Sequence, residues 1–252
     1  MVIRILGTSH ISSESISAIK KEIKEKKPKI VGVELDIGRA QTLQSKQNKQ
    51  DKQKIPWQLL PKIGVFGFSF VIIGRFVQQH LGKIVGVEPG SEMREAIVQA
   101  HKAKAHIVLI DRPIQLTLQS LSKQFGFKDK CRMIWDLISG PFSGKKRIKE
   151  MGINSFSLSG VPDQEVVVKM TGYIKKRYPG MYKALISERD VYMSRAALHI
   201  LKKEKKHQEV TAAVADDPSF LLEPSILLVV GAGHVAGMVN YLRKSGVEVE
   251  VV

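Results

Sequence analysis

Residues 2–15 read VIRILGTSHISSES, and residues 225–242 read SILLVVGAGHVAGMVNYL. Each segment begins as an apolar, β-branched run, reaches a glycine and presents a histidine three residues later. Val2–Leu6 and Ser225–Val230 have strand composition, and helical patterns follow both. Each unit therefore reads as strand, turn, helix. Glycine is expected at such a junction because it permits a tight turn that a side chain would obstruct. In an open parallel sheet, ligands bind beyond the carboxyl ends of the strands. His10 and His234 are thus expected on one sheet edge, and on one ion if their strands are neighbours. Neutral imidazole is a common ligand for divalent transition metals. A lone histidine at such a place more often caps a helix; a matched pair points to shared function.

Outward from these units, strands and helices alternate. Ser12–Lys27 is expected as an amphipathic helix with Ile16, Ile19 and Ile23 on one face, stopped by Pro28. Further strands are expected at Lys29–Leu35, Ile84–Val87 and Ile107–Ile110, and in the closing VEVEVV. Its Val/Glu alternation suits an edge strand with one solvated face. The pattern implies an α/β fold with a mostly parallel central sheet flanked by helices. Residues 114–210 carry helical periodicity without a convincing strand, including a long helix near Tyr182–Lys205. They read as a helical insertion, part of a lid or pocket, within a single domain spanning 1–252.

The acidic residues at strand ends are the next candidates. Glu34 and Asp36 close VGVELD; Glu34 suits a metal ligand or a general base, Asp36 a helix cap. Glu88 and Glu92 are second-rank candidates beside a Pro-Gly-Ser turn. Asp111-Arg112 leaves a strand at the same edge, where Arg112 can clamp a substrate carboxylate or orient Glu34. Glu188, Arg189 and Asp190 are successive on the long helix, so one or two at most can enter a site. His80, His101, His106, His199 and His207 lack metal-ligand spacing, and GAGHVAG lacks the βαβ context of a dinucleotide fingerprint.

The chain of 252 residues has a formal net charge of +16 and one cysteine, Cys131, which excludes cysteine cages and intrachain disulfides. A reducing, cytoplasmic setting is the expectation, with no signal peptide before the first strand. The charge is consistent with an anionic partner. Many lysines, however, fall on helix faces such as KKEIKEKK and ILKKEKKH, without a nucleic-acid recognition motif. Nucleic acid is therefore not the expected partner. Residues 57–77, WQLLPKIGVFGFSFVIIGRFV, approach a membrane-spanning length. Pro61, Lys62, Arg75 and three glycines interrupt them, so the reading is a buried helix or a homodimer surface. Peripheral membrane-surface contact is the alternative.

ILGTSHIS, IVGVELD, GVEPGSEM, VLIDRPIQLTL, ERDVYM and VVGAGHVAGM, in that order, resemble the TraB/PrgY (pheromone-shutdown) family over almost the whole chain. That family is similar to the Tiki metalloproteases and, more distantly, to erythromycin esterase and ChaN-like proteins. The resemblance implies an α/β fold and a metal-dependent hydrolytic site built from paired G-x-x-H motifs and an acidic residue. On this chain these are His10, His234 and Glu34, with a divalent ion such as Mn, Co or Zn. The expected activity is hydrolysis of short peptides. Arg112 and Arg189 would stabilise an oxyanion, and Arg112, Glu188 and Asp190 would contact substrate. The alternative is a non-catalytic protein that sequesters a peptide or regulates at a membrane. Pro113 stands where the family pattern has an acidic residue after IDR, and many members carry a hydrophobic membrane domain beyond the GAGH block.

Overall fold

The computed structural model describes residues 2–8, 13–45, 61, 90–133, 135–136, 139, 164–215 and 226–252. The chain order is β1 (Val2–Thr8), α1 (Ser13–Lys26), β2 (Ile30–Val33), α2 (Ile37–Ser45), α3 (Ser91–Lys102), β3 (His106–Leu109) and α4 (Ile114–Gln124). There follow α5 (Gln164–Arg177), α6 (Pro179–Tyr182), a π-helical turn (Lys183–Ser187), α7 (Glu188–Ala215), β4 (Ile226–Gly231), α8 (Ala232–Lys244) and β5 (Glu248–Val251). The strand expected at Ile84–Val87 and the apolar stretch 57–77, apart from Pro61, lie outside the described residues, as does His10. No helix among the described residues is long and apolar enough to cross a membrane.

Among the described residues, five strands form one sheet in the order β3-β2-β4-β1-β5, and every described pairing is parallel. A parallel sheet needs cover on both faces, so its central strand should be apolar throughout. All six residues of β4 are buried. Side chains alternate across the sheet. Ile3, Ile5, Ile30, Ile226, Leu228 and Val230 pack with Met193, Ala197 and Ile200 of α7 and Val235, Met238 and Leu242 of α8. Leu6, Val31, Val33, Leu227 and Val229 pack with Ile19 and Ile23 of α1 and Met93, Ala96 and Ala100 of α3. The expected apolar face of the first helix is therefore buried at Ile19 and Ile23. β5 is an edge strand as expected, with Val249 buried and Glu248 and Glu250 exposed.

The described parts of 114–210 are helical. α4, Tyr178 and the π-helical turn share a small core of Leu121, Phe125, Tyr178 and Ala184. α7 itself joins the layer that covers the sheet.

β4 lies between β1 and β2. The helix after β1 packs on one face of the sheet and the helix after β4 on the other. Such a reversal opens a crevice at the carboxyl ends of the two strands, where ligands of parallel sheets bind. Thr8 pairs with Gly231, so the two G-x-x-H strands run side by side and in step.

The glycines in these strands work differently from the expectation. Gly7 lies inside β1, opposite Val230, rather than in a turn. A Cβ at Gly7 would meet Val235 Cγ2 of α8 at 2.9 Å, so the missing side chain makes room for the helix. Gly231 has φ −61° and ψ 141°, extended backbone that any residue adopts. Gly32 is the matching gap in β2, where a Cβ would fall 2.6 Å from Leu228 Cδ2.

Candidate active site

Glu34 follows β2 directly, and its backbone amide continues the ladder to Val229 O at 3.0 Å. Asp111 follows β3 and its amide reaches Leu35 O at 3.2 Å. His234 lies in the first turn of α8, just beyond β4. Three neighbouring strand ends thus supply two carboxylates and an imidazole, all buried. α7 brings Arg189 and Asp190 onto them from above the sheet.

Arg189 is the hub. Its Nε donates to Asp111 Oδ1 at 3.0 Å and its Nη2 to Asp111 Oδ2 at 2.7 Å, a two-pronged grip. Nη2 also pairs with Glu34 Oε1. Nη1 reaches His234 Nε2 at 3.0 Å and Leu185 O at 3.3 Å. Burial alone would discourage a charge here, but Glu34 and Asp111 more than offset it and keep the guanidinium firmly protonated. Glu34 Oε2 accepts the Gly231 N–H at 2.5 Å, tying β2 to the start of α8.

His234 is held on both sides. Its Nδ1 lies 2.6 Å from Asp190 Oδ1, opposite the Arg189 contact at Nε2. A guanidinium can only donate, so Nε2 presents its lone pair and Nδ1 carries the proton. Nε2 also stands 3.5 Å from Glu34 Oε1. Burial pushes the Asp190 carboxyl above its usual range, and the His234 and Arg189 contacts offset this only in part.

The three successive charges of α7 divide as helix geometry requires. Arg189 and Asp190 enter the cluster and embrace the imidazole between them. Glu188 turns to Arg112 Nη1 at 2.6 Å and to the Ser120 hydroxyl at 2.6 Å. Burial would raise the Glu188 carboxyl, but Ser120 and Arg112 together bring it below the ordinary range. The π-helical turn ends immediately before Glu188. Such turns insert an extra residue and so rotate the next helical residues to a new facing.

Among the sequence candidates, Glu34, His234, Arg189, Asp190 and Asp111 therefore meet. Arg112 binds Glu188 and Leu116 O (3.0 Å) rather than Glu34. Asp36 caps α2 through Oδ1 and the Arg39 amide at 3.1 Å, as its cap reading holds. Glu92 is buried in the first turn of α3, and Glu88 lies outside the described residues. Sequence reasoning missed Arg39, whose Nη1 meets Asp111 Oδ2 at 2.9 Å. It also missed Gly237, which lies against Asp190. The spacing H-x-x-G was the available sign, since residues three apart share a helix face.

Among the described residues, no three His, Cys, Asp or Glu side chains are gathered to hold a metal ion. A two-atom donor set is present. His234 Nε2 and Glu34 Oε1 are 3.5 Å apart, and Asp190 gives the imidazole a second-sphere carboxylate. Nitrogen and oxygen atoms of this kind are ones a divalent ion takes, but here the Arg189 guanidinium holds both.

The TraB/PrgY/gumN family model matches residues 2–251. An uncharacterised protein of Methanocaldococcus jannaschii is 30% identical over 242 residues, which cover 96% of this chain and 53% of that protein. A human TraB domain-containing protein is 27% identical over 247 residues, covering 93% of this chain and 61% of its own. A mouse TraB domain-containing protein is likewise 27% identical over 247 residues. The chain spans about half to three-fifths of the length of these relatives. The chain belongs to the TraB/PrgY/gumN family.

Proposed function

We propose that this TraB/PrgY/gumN family member is a metal-dependent hydrolase acting on short peptides, with His234 and Glu34 at its centre. The observation that carries the reading is the presentation of His234: Nδ1 tied to Asp190, and Nε2 facing Glu34 across 3.5 Å at the sheet's switch point. His234 Nε2 and Glu34 Oε1 would hold a divalent ion, with His10 as the expected third ligand. When bound, such an ion polarises a scissile carbonyl and lowers the pKa of water.

The rest is done by the chain itself. Arg189 must release both His234 Nε2 and Glu34 Oε1 to admit an ion, and its Nε and Nη2 bonds to Asp111 anchor it when it does. It then lies beside the reacting centre as a fixed cation, suited to developing negative charge. Glu34 Oε2 is steadied by the Gly231 amide, and Oε1, which pairs with Arg189 Nη2, would become the working oxygen once that contact opens. Arg112 is held by Glu188 just beyond Asp111 and can meet a peptide carboxylate at the rim.

The test is titration of the chelator-treated protein with Mn, Co and Zn by calorimetry, followed by cleavage of a peptide library with and without chelator. Binding and chelator-sensitive cleavage are expected, and both should vanish in a His10→Ala, His234→Ala double variant. Undiminished cleavage in that variant removes the proposal.

A second reading is favoured by one feature. Both Glu34 oxygens already accept hydrogen bonds, so the carboxylate is built to be held still rather than to exchange protons. A non-catalytic peptide-binding or membrane-associated regulator needs only that. It predicts peptide binding without turnover under all three metals.

A further inference from the structure

Beyond the ligand atoms, we infer that Asp190 is the positioning residue of His234, and that Gly237 exists at its place in α8 to admit the Asp190 carboxylate. His234 and Gly237 are three residues apart on α8 and share the face turned to α7. Asp190 reaches that face from α7, and its Oδ1 takes the Nδ1 contact at 2.6 Å. Its other oxygen lies against the α8 backbone at Gly237. A Cβ there would fall on Oδ2 and stand 2.6 Å from Asp190 Cγ and 3.2 Å from Asp190 Cβ. No flexible side-chain end takes that clash. The obstacle is a buried, hydrogen-bonded carboxylate on a packed helix. An alanine at 237 must therefore displace Asp190 from His234.

Gly233, in the same GAGHVAG segment, is the contrast. Among the described residues, a Cβ there would meet only Thr171 Oγ1 at 3.7 Å and Val167 Cγ1 at 3.9 Å, ordinary contact distances. The two glycines thus have different physical grounds. Gly237 is the one whose missing side chain sets the chemistry, because it decides whether the imidazole has a fixed orientation. Carboxylates that accept the second ring N–H of a working histidine fix its rotamer and tautomer.

The inference rests on the reading that His234 works through Nε2, but its test does not require turnover or metal. Nitrogen-15 imidazole NMR on the metal-free protein reads the proton on Nδ1 directly. The wild type is expected to show a far-downfield, slowly exchanging His234 Nδ1–H resonance. Asp190→Ala and Gly237→Ala should each lose it, although Gly237→Ala keeps the carboxylate in the chain. Asp190→Asn, which retains volume and an acceptor oxygen, should fold and show the resonance shifted upfield. Gly233→Ala should leave it in place. Survival of the wild-type resonance in folded Gly237→Ala, or its absence from the wild type, overturns the inference. Metal titration of the same Asp190→Asn protein provides a separate arm. If the wild type binds metal, about a 10- to 100-fold loss of affinity is expected. If the wild type binds none, the hydrolase proposal fails while the NMR result still decides the role of Asp190.

Discussion

Arg189 Nη1 sits 3.0 Å from His234 Nε2 while the same guanidinium grips Asp111 with two other nitrogens. One side chain therefore connects the ends of β2, β3 and β4 through Glu34, Asp111 and His234. Its removal leaves two buried carboxylates without the cation they share. Arg189→Met is expected to cost about 3–5 kcal/mol, the usual penalty for breaking a buried ion pair. Arg189→Lys should restore little, because an ammonium lacks the planar fork that spans both Asp111 oxygens. Urea unfolding of the three proteins measures this, and a loss below about 1 kcal/mol for Arg189→Met would be the range of an exposed pair instead.

Metal addition should stabilise the chelator-treated protein in proportion to the logarithm of metal concentration. At a hundredfold excess over Kd the gain is about 2.7 kcal/mol for an ion that binds only the folded chain. His234→Ala should abolish the gain. Thermal melts across a metal series read this, and melting temperatures that do not move with concentration would speak against the site.

The Glu188 carboxyl titrates below its ordinary range when folded. A depressed folded pKa contributes stability above the unfolded pKa of about 4.3, and the contribution is lost as pH falls through the folded value. Wild type should therefore exceed Glu188→Gln in stability at pH 7, and the gap should close in acid, below about pH 4. Urea midpoints of both proteins at neutral pH and in acid provide the comparison. A gap that is constant with pH would mean that the Arg112 and Ser120 contacts do not depend on the charge.

Gly7→Ala and Gly32→Ala should each destabilise by about 1–3 kcal/mol, the range for overfilling a packed core. The new methyl meets Val235 in the first case and Leu228 and Ile110 in the second. Gly233→Ala should be neutral or mildly stabilising, since alanine is the better helix former by about 1 kcal/mol. Chemical denaturation ranks the three, and a neutral Gly7→Ala would mean that α8 yields to the added methyl at no cost.

The fold was legible where a local period controls it. Ile19 and Ile23 stand four apart and both reach the core; the unbroken apolar run of β4 marks a strand covered on both faces. The equivalence of the two G-x-x-H strands also survives, since Thr8 and Gly231 pair in register. What a sequence pattern does not carry is the identity of a neighbour far along the chain. Gly7 looks like a turn residue until α8 is laid over it. Arg189 looks like one of three solvated charges until the topology places two strand-end carboxylates under it. Arg39 carries no local sign of its partner because Asp111 is supplied by another strand. The candidate site was thus readable in its residue types, while its wiring depends on the strand order.

That strand order has a consequence during synthesis. β4, made more than two hundred residues after β1, is the strand that lies between β1 and β2. On the ribosome β2 can zip to β3 early, whereas β1 meets its strand partners among the described residues only when β4 and β5 emerge. Pairings so distant in sequence are slow to close and leave strands open to the wrong partners. Glu34 and Asp111 are translated long before His234, so the cluster cannot assemble until α8 has been made. A protease-protection series on stalled chains should show resistance at β1 only after residue 251 has cleared the exit tunnel. Completion of the sheet and completion of the site would then be a single late event.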